Sequence, residues 1–253
     1  MISTGLVSIS FRNLTAREVV DLVVEAKLDG IEWGGDVHVP HGDIKKAREV
    51  SKMTYDAGLK IPSYGSYYRT GWDDPKNPEF EAVLETAVAL GTPCIRVWAG
   101  NRGSSEADVA WWEKVIEDSI EIASMAEKEN IVIAFEYHGN TLTDTNESAL
   151  ELIKRIDHPN VKSYWQPPVD QDIPERIEGL TQILPYLAHI HAFQWDVRER
   201  LAFKEGFDEW KTYFEIVEGA GKSCYALLEF VKDDEPTQFL EDAQVLKRVL
   251  AGV

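Results

Sequence analysis

Four short apolar runs in the second half of the chain end in side chains that can bind a metal ion. The runs IVIAFEYH, VKSYWQ, LAHIHAF and CYALLEF carry these side chains at Glu136, Gln166, His191 and Glu229. Each residue lies roughly one strand and one helix further along the chain than the one before it. If consecutive strands are parallel neighbours, their carboxyl ends meet at one end of the sheet and the four side chains converge there. The spacing therefore predicts a divalent cation site in an enzyme.

The chemistry of this set indicates which cation it would hold. Two glutamates, one amide and one imidazole carry a charge of about −2, which balances a dication. Oxygen and nitrogen ligands without thiolates favour Mn²⁺, Mg²⁺ or Co²⁺ and leave Zn²⁺ open. Taken singly, Glu136 could instead bridge to a basic residue, and His191 could be a hydrogen-bonded core residue. His189 lies on the same strand face as His191 but deeper, where a structural role is expected.

The elements that would position these residues alternate along the whole chain. Strands are predicted at 6–11, 30–33, 59–67, 93–98, 131–138, 161–166, 188–194 and 224–230. The first helix should begin after Thr15, because Glu18 three positions later completes a capping box. The other helices are predicted at 43–57, 78–90, 105–128, 145–156, 172–184, 207–219 and 236–251.

Eight strand and helix units close most naturally into a (β/α)₈ TIM barrel, an α/β fold. An open doubly wound sheet would usually carry a glycine-rich turn after its first strand, and residues 11–18 contain no glycine. No segment has the composition of a linker, so residues 1–253 are predicted to form a single domain. Arg96 falls inside the fourth strand and is expected to pair with a barrel carboxylate such as Glu32.

Composition and charge restrict the partners. The net charge is −18 and there is no cluster of Lys or Arg, so no nucleic acid partner is expected. No apolar run is long enough for a membrane span, and no membrane partner is expected. Cys94 and Cys224, the only cysteines, are expected to be buried free thiols. A cytoplasmic location is predicted, and the sequence leaves open whether the chain forms a homo-oligomer.

Aromatic residues gather at the predicted strand ends, namely Trp33, Tyr67, Trp98, Tyr137, Trp165 and Trp195. Aromatic faces with polar tips suit a small sugar or polyol, so the four tryptophans of this set are predicted to contact substrate. Packing beneath loops is the alternative for each of them. His138, two residues after Glu136, is predicted to hydrogen-bond a substrate hydroxyl, with anchoring of a loop as its alternative.

The ordered runs GIEWGGDVHVP, PCIRVWAGN, IVIAFEYHGNTLTDT, HIHAFQW and LLEF resemble the xylose-isomerase-like TIM-barrel superfamily, specifically its sugar phosphate isomerase/epimerase group. The resemblance covers essentially the whole chain. It implies a metal held by Glu, Asp, His and Glu on the last four strands. Those roles fall on Glu136, Gln166, His191 and Glu229, so Gln166 departs from the family's Asp. Val169 stands where many relatives carry a histidine. The resemblance also implies that Arg200 reaches the substrate.

The function expected from this resemblance and from the chemistry is a metal-dependent sugar isomerase or epimerase. Glu136 and Glu229 would ligate the cation and act as catalytic residues, exchanging the proton of an enediolate. One alternative is a metal-dependent dehydratase, a lyase acting on an inosose-like or keto-sugar substrate. Another is a non-catalytic sugar-binding barrel. Endonuclease relatives need more metal ligands and a basic groove, which this acidic chain lacks.

Overall fold

Eight parallel strands close into a barrel, and the predicted (β/α)₈ architecture is confirmed. The computed structural model describes residues 1–253. The strands are β1 (Ile2–Val7), β2 (Gly30–Gly34), β3 (Tyr64–Arg69), β4 (Cys94–Trp98), β5 (Val132–Phe135), β6 (Val161–Trp165), β7 (Leu187–Ala192), β8 (Gln194–Trp195), β9 (Arg200–Leu201) and β10 (Cys224–Leu228). Strand β1 pairs in parallel with both β2 and β10, which closes the barrel. The short strands β8 and β9 form a separate antiparallel hairpin.

Eight helices connect and cover the strands. They are α1 (Ala16–Ala26), α2 (Ile44–Asp56), α3 (Phe80–Leu90), α4 (Val109–Glu127), α5 (Asn146–Ile156), α6 (Ile173–Ile183), α7 (Phe207–Gly219) and α8 (Pro236–Leu250). The predicted capping box starts α1: the Thr15 hydroxyl accepts the Glu18 N–H, and the Glu18 carboxylate accepts the Thr15 N–H. Short 3₁₀ segments lie at Ser8–Phe11, Leu184–Tyr186, Phe203–Gly206 and Lys232–Asp234. None of the helices combines the length and apolar composition needed to cross a bilayer.

The barrel has two cores because successive side chains of a strand point to opposite faces. The larger core contains 63 buried residues, most of them between the strands and the helices. The smaller core consists of Val7, Ile9, Cys94, Ala134, Tyr164 and Leu227. Both cysteines are free and buried, as expected. Charged groups lie among the strands as well, since Glu32 and Arg96 are almost completely buried.

The first strand lies four residues earlier than predicted. The predicted strand at 6–11 is wrong beyond Val7, because the chain turns through Ser8–Phe11 after the strand. The two serines of this turn use their hydroxyl groups to accept backbone N–H groups, Ser8 from Gly34 at 2.9 Å and Ser10 from Phe230 at 3.2 Å. The turn thereby connects the carboxyl end of β1 to the ends of its two neighbouring strands.

A candidate metal centre at the carboxyl end of the barrel

The structure brings the four predicted ligands together. Glu136, Gln166 and Glu229 directly follow β5, β6 and β10, and His191 lies near the end of β7. The imidazole Nδ1 of His191 is 3.0 Å from Gln166 Oε1, 3.3 Å from Glu229 Oε2 and 3.5 Å from Glu136 Oε1. Ligand atoms of the two glutamates and the histidine all lie within 4.8 Å of one another. These three residues are buried, so the group is screened from solvent.

This arrangement fits a divalent cation. Glu229 Oε2 is buried and has no hydrogen-bond partner, a state that costs free energy unless a cation or donor satisfies it. Glu136 Oε1 and Gln166 Oε1 face the same imidazole nitrogen. Two carboxylates, an amide oxygen and an imidazole nitrogen suit a hard or intermediate dication. The residues could therefore hold a metal ion.

The electrostatics of the group agree with a site for positive charge. Burial alone would lower the pKa of His191, but the carboxylates of Glu229 and Glu32 raise it well above its ordinary value. Burial would raise the pKa of Glu136, but the Arg96 guanidinium and His191 lower it to about 2. Glu136 is thus ionised at neutral pH. The negative charge of the carboxylates favours a bound cation and, when no cation is bound, a protonated His191 imidazole.

Arg96 holds one oxygen of Glu136. Its Nε donates to Glu32 Oε1 at 2.7 Å, which confirms the expected pairing, and its Nη1 donates to Glu136 Oε2. The indole N–H of Trp98 donates to the same Glu136 oxygen. Glu32 lies deeper in the barrel, where its other oxygen accepts the Tyr164 hydroxyl at 2.6 Å and lies 3.5 Å from His191 Nε2. Glu136 consequently keeps one oxygen, Oε1, for a metal ion.

A cavity of about 790 Å³ opens above this group. Glu136, Gln166 and Glu229 all reach it, whereas His191 lies beneath them. A cavity of this size admits a ligand as large as a monosaccharide or a substituted six-membered ring.

Three of the residues predicted to bind substrate line this cavity, namely Trp98, His138 and Trp195. The His138 ring lies 4.3 Å from the Trp98 ring, and its Nδ1 donates to the carbonyl of Gly139 at 2.7 Å. Arg200 lies beside the cavity wall rather than in it. Its guanidinium packs 5.5 Å from the Trp195 ring and bonds Asp234.

Trp33 and Trp165 do not line the cavity, so the prediction that they contact substrate is wrong. Both are fully buried on the outside of the barrel. The Trp33 indole donates to Thr54 in α2 at 3.2 Å, and the Trp165 ring packs 5.0 Å from Tyr213 in α7. The physical reason is the alternation of side chains along a strand. With Glu32 pointing into the barrel, its neighbour Trp33 must point out.

Arg12 and Tyr67 are among the cavity residues that were not predicted as site residues. Arg12 follows the turn after β1, and the misplaced first strand concealed its position. Tyr67 lies in an irregular part of β3, where the pairing with β4 shifts register between Gly65 and Arg69. The sequence placed Tyr67 among the aromatic residues at strand ends. Spacing alone does not show that Tyr67 faces the cavity while Trp33, from the same set, does not.

Comparison with known proteins agrees with the barrel fold. The sequence pattern of the family described as xylose isomerase-like TIM barrel matches residues 20–249. A 3-dehydroshikimate dehydratase of Bacillus anthracis is 27% identical, with 74% of this chain and 70% of that protein covered.

Two solved structures illustrate the shared fold. One is the probable 3-DHS dehydratase AsbF, involved in petrobactin synthesis, from Bacillus anthracis. It has a TM-score of 0.79 and 21% identity, covering 97% of this chain and 99% of that one. The other, the apo form of 3-keto-D-glucoside 4-epimerase from E. coli, has a TM-score of 0.75 and 17% identity, covering 98% and 99%. The family match over most of the sequence shows that this chain belongs to the xylose isomerase-like TIM-barrel family.

Proposed function

We propose that this protein is a divalent-metal-dependent dehydratase that removes water from a small cyclic hydroxy ketone bearing a carboxylate. A substrate of the 3-dehydroshikimate type has this chemistry. The similarity to a 3-dehydroshikimate dehydratase supports this reaction, which is the lyase alternative considered from the sequence. The observation that carries the choice is the unequal environment of the two glutamates at the candidate metal centre.

An isomerase that works by two-carboxylate exchange needs both carboxylates to accept and return a proton. Arg96 and Trp98 both donate to Glu136 Oε2, while Glu136 Oε1 faces His191 and the proposed metal position. Neither oxygen of Glu136 is therefore well placed to carry a proton. Glu229 accepts no hydrogen bond at Oε2, so the two carboxylates are not equivalent. A site of this kind suits a reaction with one acid–base group.

His138 is the group that we assign to proton transfer. Because its Nδ1–H donates to the Gly139 carbonyl, the lone pair of the neutral ring lies on Nε2. The tilted contact with Trp98 fixes the ring at the cavity wall. His138 Nε2 would remove the proton next to the substrate ketone, and the C–H electron pair would form a carbon–carbon double bond as the β-hydroxyl departs. Return of the proton to the departing hydroxyl releases one water.

The remaining residues of the site bind and orient. Glu136, Gln166, His191 and Glu229 would hold the cation, which when bound supplies Lewis-acid polarisation of the substrate carbonyl. Trp98 and Trp195 offer aromatic walls to a six-membered ring. Elimination of water from 3-dehydroshikimate, followed by tautomerisation, gives the aromatic 3,4-dihydroxybenzoate, so the reaction is driven towards product.

An isomerase or epimerase acting on a small ketose or keto-polyol is the second candidate. The unpartnered Glu229 oxygen favours it, because that carboxylate could take a proton itself if the substrate displaced it from the cation. A third candidate function is that of a non-catalytic sugar-binding barrel. This function would require no proton transfer by His138.

Mass spectrometry separates these functions in one experiment. The purified protein is incubated with Mg²⁺ or Mn²⁺ and either 3-dehydroshikimate or a panel of ketoses and keto-polyols. The proposal predicts loss of one water from 3-dehydroshikimate, with the ultraviolet absorption of a dihydroxybenzoate and no product in chelator. Interconversion of ketoses at constant mass would instead establish the isomerase. Binding of either class without turnover would establish the binding barrel.

A further inference from the structure

We propose that Arg12 and Tyr67 form a carboxylate-binding subsite on the wall of the cavity. This inference deepens the proposed function and rests on it for the ring that carries the carboxylate. Both residues line the cavity that opens above the candidate metal centre. Neither forms a hydrogen bond or an ion pair with a predicted metal ligand, so the subsite is distinct from the group that would hold the cation.

The hydrogen bonds of Arg12 leave two donors for a ligand. Its Nε donates to Asp36 Oδ2 at 2.8 Å, its Nη1 to the Ile9 carbonyl at 3.1 Å and its Nη2 to the Tyr67 hydroxyl at 3.1 Å. A guanidinium has five N–H groups, so one remains on each terminal nitrogen. N–H groups on neighbouring guanidinium nitrogens can bind a carboxylate through two parallel hydrogen bonds. With 47% of the side chain exposed, a small molecule can reach it.

Tyr67 supplies a third donor. Its hydroxyl oxygen accepts from Arg12, and its own O–H has no acceptor in the protein. Burial raises the pKa of Tyr67 to about 12, so the hydroxyl stays protonated at neutral pH. The backbone at Tyr67 has φ +59°, a left-handed conformation that bulky residues rarely adopt. Such strain persists where the surroundings fix it, and here it accompanies the register shift that places the ring in the cavity.

The ring of Tyr67 also sets the distance between the subsite and the metal centre. Its face lies 5.3 Å from the Arg96 guanidinium, which bonds Glu136, while its hydroxyl contacts Arg12 at the other end. An edge-on contact with Trp98 at 5.2 Å fixes its orientation. Arg12 and Glu136 are therefore connected through the Tyr67 ring and Arg96 and lie on the same cavity. A six-membered ring that carries both a ketone and a carboxylate could place the ketone at the metal-binding group and the carboxylate at Arg12.

Arg12 is the cavity cation best suited to this role. Arg96 also reaches the cavity, but Glu32 and Glu136 already balance its charge. Arg12 has a single carboxylate partner, Asp36, which occupies only its Nε. Asp36 thus holds the guanidinium in place and leaves one N–H on each terminal nitrogen for the ligand.

The test compares two ligands that differ only in the carboxylate, 3,4-dihydroxybenzoate and catechol. Calorimetry gives the dissociation constant of each for the full-length protein loaded with Mg²⁺. The wild type should bind the acid about 10-fold to 100-fold more tightly than catechol, the range for hydrogen bonds to a charged group. Arg12→Met should abolish this preference, and Tyr67→Phe should reduce it about 3-fold to 10-fold. Affinity for catechol should change little in either variant.

Arg17→Met is the matched control, because Arg17 lies on the exposed surface of α1 and pairs only with Asp21. It should keep the full preference. Thermal unfolding of each variant checks that the barrel is intact. The inference is overturned if the wild type binds 3,4-dihydroxybenzoate no more tightly than catechol. It is also overturned if Arg12→Met weakens the binding of both ligands equally or of neither. If the wild type prefers 3,4-dihydroxybenzoate through Arg12 but does not dehydrate 3-dehydroshikimate, the proposed reaction is refuted and the subsite stands. If it dehydrates 3-dehydroshikimate but shows no such preference, the subsite is refuted and the reaction stands.

Discussion

Replacing Arg96 with Met should strongly destabilise the barrel. Arg96 is only 1% exposed and lies between two carboxylates that are also buried, those of Glu32 and Glu136. Methionine fills much of the same volume but carries no charge. The variant would therefore leave two buried carboxylates without their common partner, where little of either side chain is exposed to water.

The expected magnitude follows from this burial. Removing one partner of a buried ion pair costs about 3–5 kcal/mol, because the remaining charge is uncompensated. For a chain of this size, 1 kcal/mol corresponds to about 2–4 °C in melting temperature. The melting temperature of Arg96→Met should consequently fall by about 6–20 °C. The loss should be smaller with saturating Mg²⁺, since a bound cation would offset the charge of Glu136.

The assay is thermal and urea unfolding, measured in chelator and again in Mg²⁺. Adding Glu32→Gln to Arg96→Met removes one of the two unpaired charges and should recover part of the lost stability. Arg155→Met is the surface control, because Arg155 pairs with the half-exposed Glu113 and such pairs contribute about 0–1 kcal/mol. A loss from Arg96→Met no larger than that of the control, or no recovery with Glu32→Gln, would refute the assigned role of the buried network.

Three further predictions address the reaction, the first helix and the cysteines. His138→Asn should lower the dehydration rate about 10²-fold to 10⁴-fold with little change in metal content, and a fully active variant would exclude His138 as the proton-transfer group. Thr15→Ala should cost about 1 kcal/mol of unfolding free energy in urea, because it breaks the capping box with Glu18, and an unchanged midpoint would contradict that contribution. Burial raises the pKa of Cys94 and of Cys224 to about 12, so neither thiol should react with iodoacetamide at pH 8 until the protein is unfolded. Rapid labelling of the native protein would show that these thiols are not buried as described.

The positions of the candidate metal ligands could be predicted from the sequence because parallel strands impose a simple rule. Whatever follows the carboxyl end of a barrel strand lies near the same rim, so Glu136, Gln166 and Glu229 could be placed without knowledge of any contact. His191 followed from the same rule. The contacts among these four residues could be determined only from the structure, because side-chain distances depend on packing, which the periodicity of the sequence does not predict.

The direction of the tryptophan side chains was harder to predict, although the information was present. Strands covered on both faces are apolar throughout, so hydropathy does not distinguish inside from outside. The alternation of side chains does distinguish them once one residue is assigned. A ligand role for Gln166 already implies that Trp165 points outward, and an inward Glu32 implies the same for Trp33.

The residues that elude sequence analysis lie where the backbone is irregular. Arg12 reaches the cavity only because the chain turns at Ser8–Phe11, whereas an apolar run suggested a continuing strand. The position of Tyr67 depends on a left-handed backbone conformation in β3, which the residue types in this segment do not predict. The serine hydroxyl groups that bond backbone N–H groups of neighbouring loops are likewise a tertiary feature.

Metal content of the purified protein is the most direct test of the central claim, that Glu136, Gln166, His191 and Glu229 hold one divalent cation. Elemental analysis after equilibration with Mg²⁺ or Mn²⁺ should find about one ion per chain in the wild type and none in the Glu136→Ala/Glu229→Ala double variant. Both proteins must remain folded by circular dichroism. A wild type without metal under these conditions, or a double variant that retains a full equivalent, would contradict the claim.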